Sequence, residues 1–186
     1  MDTLQLENNE IFKKSISVGF SYLVLGCAFG AVFNSKGGSL FETLIIALFC
    51  FAGAAQFAAI SFYKGEFNHI LMFLTIVAIN IRHIFYGFVS IGMLKPGFGR
   101  IYILMALTDE NFAMREIYKG IKVSNREWLK IFGLNHLYWI IGCVCGSFLS
   151  STSESFIDLA EFSLVCFFVS LFTASSKKLW KKHESN

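Results

Sequence analysis

Arg82 sits in the middle of an apolar stretch, Ile70 to Met93, that is long enough to cross a bilayer. It is twelve residues from one end and eleven from the other. At about 1.5 Å of rise per residue, a helix carries it to within roughly 1–2 Å of the bilayer midplane. A guanidinium at that depth costs about 2.5–3.5 kcal/mol on insertion scales. The chain must therefore supply a counter-charge or a wet cavity. The immediate context is Asn80-Ile81-Arg82-His83, so three polar side chains share about one turn of one helix. On a helical wheel Thr75, Arg82 and Tyr86 lie on one face, and Asn80, His83 and Gly87 on another.

The rest of the composition agrees with a membrane setting. Of 186 residues, 55% are hydrophobic and 16% charged, against about 25% charged in soluble domains. A single proline fits long helices with few breaks. These features predict an all-α, polytopic integral membrane protein with about six hydrophobic segments. A polar N-terminal tail (1–14) precedes a transmembrane helical domain (15–175), and a basic C-terminal tail (176–186) follows. The net charge of +3 does not point to nucleic acid, because the basic residues cluster at the ends of apolar segments. The five cysteines all fall within apolar runs, with neither a disulfide framework nor metal-ligand spacing. Cys143-x-Cys145 reads as two small packing residues. No cofactor is expected.

The first apolar segment runs from about Ser15 to Phe33. It exceeds the roughly 7–15 residues of a signal-peptide core and reads as the first helix. Gly26-x-x-x-Gly30 within it is a small-residue pair that permits close helix approach. The second segment, about Leu40 to Phe62, ends in Phe51-Ala-Gly-Ala-Ala-Gln-Phe-Ala-Ala. So many small residues, Gly53 among them, either pack tightly or break and expose backbone to a cavity. In the tight-packing reading Gln56 donates a hydrogen bond to another helix. The third segment is the one built around Arg82, closed by Lys95-Pro96-Gly97. The fourth, about Ile101 to Ile117, carries Thr108-Asp109-Glu110-Asn111 at its centre and is either a span with an unwound middle or a re-entrant hairpin. Asp109 then lies at the depth of Arg82, and a pair between them relieves two desolvation costs.

The fifth segment, about Trp128 to Leu149, contains Asn135, His136 and Gly142-x-x-x-Gly146. Trp128 and Tyr138-Trp139 are candidate interface anchors, although the latter pair is deep for that role. His136 reads as a packed or interfacial histidine. The last segment, about Phe156 to Ala174, opens with Asp158 and Glu161. With six crossings and the N-terminus inside, the inner side holds Lys13, Lys14, Lys64, Arg115, Lys119, Lys122, Arg126, Lys130, Lys177, Lys178, Lys181 and Lys182. Only Lys36, Lys95 and Arg100 remain outside. A re-entrant fourth segment with the N-terminus outside gives the same split, and both arrangements place the C-terminus in the cytoplasm.

Taken together, Gly26-x-x-Phe29-Gly30, Phe51-Ala52-Gly53-Ala54-Ala55-Gln56-Phe57, Asn80-x-Arg82-His83 and Thr108-Asp109-Glu110-x-Phe112 resemble the AzlC/YgaZ family, the large subunits of branched-chain amino-acid exporters. Asp158 opens a weaker final block, and the resemblance covers the chain from about Gly19 to Leu171. It implies a bacterial cytoplasmic (inner) membrane location, a small AzlD-type membrane partner, and export of branched-chain amino acids, with methionine a further candidate. Members of the family continue with more hydrophobic sequence, so a short or truncated member is implied. A homo-oligomer is compatible with the same residues.

The residues add a physical picture to that resemblance. A free amino acid is a zwitterion with an apolar side chain, so a site at mid-depth needs a cation, an anion and an apolar wall. Arg82 suits the carboxylate and Asp109 or Glu110 the ammonium. Gln56 and Asn80 are placed to orient the pair, and Phe57 and Phe112 to wall the side chain. His83 and Asp109 are the candidates for proton coupling. Gly26, Gly30, Gly53, Gly142 and Gly146 are assigned to helix packing. Two other classes remain: a membrane scaffold or assembly subunit that does not transport, and an intramembrane enzyme. The last finds no HExxH or GxSxG motif to support it.

Overall fold

The two glycine pairs read from the sequence pack against each other. They lie on α1 (Asn8–Ser35) and α7 (Asn125–Ser150), the longest helices in the computed structural model, which describes residues 8–63, 68–92, 94, 96–118, 123–150 and 162. A methyl group at Gly26 would lie 2.7 Å from the Trp139 carbonyl oxygen, and one at Gly142 would lie 3.1 Å from the Cys27 amide nitrogen. At Gly30 and Gly146 it would run into the backbones of Cys143 and Cys27. Gly19 faces Tyr138, Gly26 faces Trp139 to Cys143, and Gly30 faces Cys143 to Ser147. The numbers rise together, so α1 and α7 run parallel, backbone against backbone.

Between them in sequence lie α2 (Leu40–Phe49), α3 (Gly53–Ile60), α4 (His69–Ile91), α5 (Phe98–Met105) and α6 (Asp109–Ile117). Among the described residues there is no strand, and the all-α class stands. Three helices, α1, α4 and α7, are long and apolar enough to cross a membrane. The other four have 10, 8, 8 and 9 residues, about 12–15 Å each, or half the hydrocarbon thickness.

Of the two forms open for the second segment, tight packing or a break, the chain takes the break. It breaks at Cys50–Ala52 and folds back as a hairpin. α2 begins beside the end of α7, where the Thr43 and Ser147 hydroxyls meet at 3.5 Å, and descends until Phe51 stacks on His136. α3 then returns past Trp139 and Phe29, and Tyr63 donates to Glu42 at the start of α2 at 3.0 Å. A capping box fixes the entrance: Ser39 Oγ accepts from the Glu42 amide while Glu42 accepts from the Ser39 amide. At the break, the carbonyls that a continuing helix would use are taken by side chains. Gln56 Nε2 donates to the Cys50 carbonyl, and His136 Nε2 bonds the Ala47 carbonyl at 2.9 Å. Gln56 thus serves its own hairpin rather than a neighbouring span. Gln56→Leu is expected to leave the Cys50 carbonyl without a partner and to cost about 1–3 kcal/mol, read as a lower thermal midpoint in detergent.

The fourth segment is also a hairpin, which decides between the two forms open at the sequence level. α5 starts where Arg100 donates to the Ile91 carbonyl and Gly99 faces Leu129. It rises until the Tyr102 hydroxyl meets His136 Nδ1 at 3.1 Å. α6 then descends from Asn111, opposite Asn135, to Tyr118, opposite Trp128. α4 runs antiparallel to α1 and α7, since the Ser90 and Ile91 carbonyls at its end meet Arg115 and Arg100. The two hairpins therefore enter from opposite sides, and their tips meet near the level of Tyr22, Arg82 and His136. Three of the described helices have spanning length, against the five crossings, or four with a re-entrant fourth segment, expected over the same residues. The expected last segment, Asp158, Glu161, the C-terminal tail and the loop residues Lys64, Lys95, Lys119 and Lys122 lie outside the described residues.

Candidate functional site

Each hairpin tip contributes a helix N-terminus to the same region. In the second hairpin Thr108 caps α6, its Oγ1 accepting from the Asn111 amide at 3.3 Å. That places Asp109 and Glu110 in the first turn, where the helix dipole favours carboxylates. Arg82, on α4, forms an ion pair with Asp109 through Nη1 and Oδ2. Tyr86, one turn along, donates to the other Asp109 oxygen at 2.8 Å and stacks on Phe112 at 4.2 Å. Asp109 is therefore occupied on both oxygens. Among the described residues, Glu110 is bonded only by the Tyr22 hydroxyl, 3.1 Å away, and that hydroxyl also meets Thr108 Oγ1.

In the first hairpin, α3 starts at Gly53 without a side-chain cap. Its first residues face the same space as the charged groups. The result is a cavity of about 60 Å3 lined by Tyr22, Leu25, Phe51, Ala52, Gly53, Ala54, Phe57, Arg82, His83, Thr108, Asp109, Glu110 and Trp139. One end is apolar, formed by Leu25, Phe51, Phe57 and Trp139. The other holds the carboxylates and the guanidinium. Three buried nitrogens of its lining groups lack a partner: Arg82 Nε, His83 Nδ1 and Trp139 Nε1.

Of the residues singled out from the sequence, Arg82, His83, Asp109, Glu110 and Phe57 line this cavity. Gln56 and Asn80 do not. They line a second, largely apolar cavity of about 360 Å3 between the first hairpin and α4. Phe112 lies behind Asp109, against Tyr86. Gly53 packs on the Trp139 ring, where an added methyl would sit 3.1 Å from it. Trp139 and Trp128 are not interface anchors: Trp139 is 2% exposed and faces the cavity, and Trp128 is buried against Phe132. Tyr22 was missed from the sequence. The available signal was a phenol in the middle of an apolar helix, where its hydroxyl needs a partner.

The fold and the cavity define a polytopic helical membrane protein whose polar side chains converge at mid-depth between two half-length hairpins. The AzlC protein family matches residues 17–152, and the chain belongs to that family. It is 30% identical to the branched-chain amino acid transport protein AzlC of Bacillus subtilis, over 94% of this chain and 69% of that protein. It is also 30% identical to an uncharacterized membrane protein of Helicobacter pylori, over 91% of this chain and 75% of the relative. Inner membrane protein YgaZ of Escherichia coli is 27% identical over 75% of this chain and 59% of its own length. No solved structure matches.

Proposed function

We propose that this chain is the large subunit of an exporter of branched-chain amino acids, and of methionine, in the bacterial cytoplasmic membrane. The observation that carries the reading is the mid-depth cavity with a charged end and an apolar end. The similarity to a branched-chain amino acid transport protein supports the substrate class. The substrate carboxylate lies between Arg82 and the uncapped start of α3, whose amides form a positive helix end. Because Arg82 and Tyr86 already take both oxygens of Asp109, the ammonium goes to Glu110. Leu25, Phe51, Phe57 and Trp139 then surround the aliphatic side chain. Gln56, Asn80 and Phe112 shape the hairpin and α4 around this site and do not contact substrate.

Glu110→Gln is expected to raise KM for leucine by about 10- to 100-fold, with assembly retained, because a charge-assisted bond becomes a neutral one. The decisive measurement is cellular efflux of leucine, isoleucine, valine and methionine with and without this chain and its partner. Unchanged efflux of all four would remove the reading.

His83 beside Arg82 supports proton antiport as the energy source. Flux in proteoliposomes that ignores an imposed pH gradient would remove it. The Arg82 side chain is 38% exposed on α4, whose spanning stretch is not buried by the rest of the chain. A guanidinium is costly against hydrocarbon, which supports a small AzlD-type membrane subunit covering this face. The basic residues Lys13, Lys14, Arg100, Arg115, Arg126 and Lys130 lie toward the start of α1, and Lys36 toward its end. That bias supports a cytoplasmic N-terminus.

A further inference from the structure

The two hairpins repeat each other in inverted orientation. α1 leads into the α2–α3 hairpin, and the antiparallel α4 leads into the α5–α6 hairpin. Residues fifty-five positions apart play matching parts. Gln56 and Asn111 are such a pair. Each lies early in the returning helix and gives its amide to a carbonyl at the end of the preceding one, Cys50 or Ala106. Phe57 and Phe112 follow them, and Ala54 stands where Asp109 stands.

His136, on α7, belongs to neither repeat and touches both at matching positions. Its Nε2 bonds the Ala47 carbonyl at 2.9 Å and its Nδ1 the Tyr102 hydroxyl at 3.1 Å, and Ala47 and Tyr102 are again fifty-five apart. A carbonyl only accepts, so Nε2 carries the hydrogen and Nδ1 accepts from the tyrosine. The ring also lies flat on Phe51, the tip of the first hairpin, with centroids 4.4 Å apart. One imidazole therefore ties together two elements that otherwise enter from opposite sides.

We propose that His136 is a positioning residue that latches the hairpins to one another beside the cavity. Release of its bond to one hairpin lets that hairpin swing and opens the cavity to that side, while both bonds together keep it closed. This rests on the reading of the cavity as a transport site. The site of a transporter built on inverted repeats lies at the repeat interface and is exposed alternately to the two sides.

The test uses Ala54→Cys as a cavity probe in the full chain with its own cysteines changed to alanine. It is labelled with a membrane-impermeant maleimide in right-side-out and inside-out vesicles. His136→Phe keeps the ring on Phe51 and loses both bonds, and labelling is expected to rise at least about five-fold. His136→Gln keeps one donor and one acceptor and is expected to return labelling toward the parent rate. Tyr102→Phe frees only the second hairpin, so labelling rises from the side that hairpin enters and not from the other. Equal rates in the parent and in folded His136→Phe or Tyr102→Phe protein would overturn the latch. If the latch variants behave as expected but leucine, isoleucine and valine leave labelling unchanged, the latch stands and the substrate reading falls.

Discussion

Arg82→Ala is expected to reduce amino-acid efflux to background and to lower the yield of folded protein. The substitution leaves Asp109 with Tyr86 alone, at mid-depth, where an unpaired carboxylate costs about 3 kcal/mol or more. Loss of efflux by itself therefore does not separate a substrate ligand from a structural clamp. Two further variants do. Arg82→Lys keeps a cation for Asp109 but lacks the planar fork and its Nε–H, which in the parent has no partner inside the protein. It is expected to assemble normally and to lose about 10- to 100-fold in efflux, from one charge-assisted bond of about 1.5–3 kcal/mol. The exchange Arg82→Asp with Asp109→Arg restores the ion pair with its direction reversed. Recovered assembly without recovered efflux identifies the pair as needed in its native orientation for transport. Full recovery of both, with normal substrate selectivity, shows a clamp that never touches substrate.

The second large effect falls far from the charges. Gly146→Leu is expected to prevent the α1–α7 contact, because even its Cβ would fall on the Cys27 backbone, which has no side-chain freedom with which to yield. Overpacking a core costs about 1–3 kcal/mol when side chains can move, and a clash with backbone exceeds that range. The measurement is the monodisperse fraction after detergent extraction, together with the thermal midpoint of what remains. Gly133→Ala on the same helix is the control. Nothing lies within 4 Å of a methyl group there, and replacing a mid-helix glycine gains about 0.5–1 kcal/mol. If Gly146→Leu extracts and melts like the parent, the helices do not pack as described.

These residues also show how far the chain can be read without its structure. The Arg82–Asp109 pairing follows from depth alone, because two charges at the same level in hydrocarbon have few other partners. The break in the fourth segment is visible because four polar residues interrupt an apolar run. The break in the second segment is allowed but not decided by its sequence, since two half-length helices of apolar residues have the same hydropathy as one spanning helix. The small residues around Gly53 suit a break and a tight contact equally, and an amide that caps its own hairpin reads in one dimension like an amide between helices. The glycine pairs were legible as packing surfaces, but that they face each other was not, because no pattern says which small-residue stripe meets which. Trp139 was misassigned for a related reason. Indole favours both the membrane interface and the mouth of a polar cavity, and only its depth separates the two.

The glycine contact between α1 and α7 also divides the molecule into still and moving parts. Where two backbones touch at Gly26, Gly30, Gly142 and Gly146, a slide of one turn would drive bulkier neighbours such as Leu23 and Tyr138 into the opposing helix. That pair can act only as a stator. Rearrangement within the described residues then falls to the half-length hairpins and to α4, which meet the stator mainly through side chains that can let go.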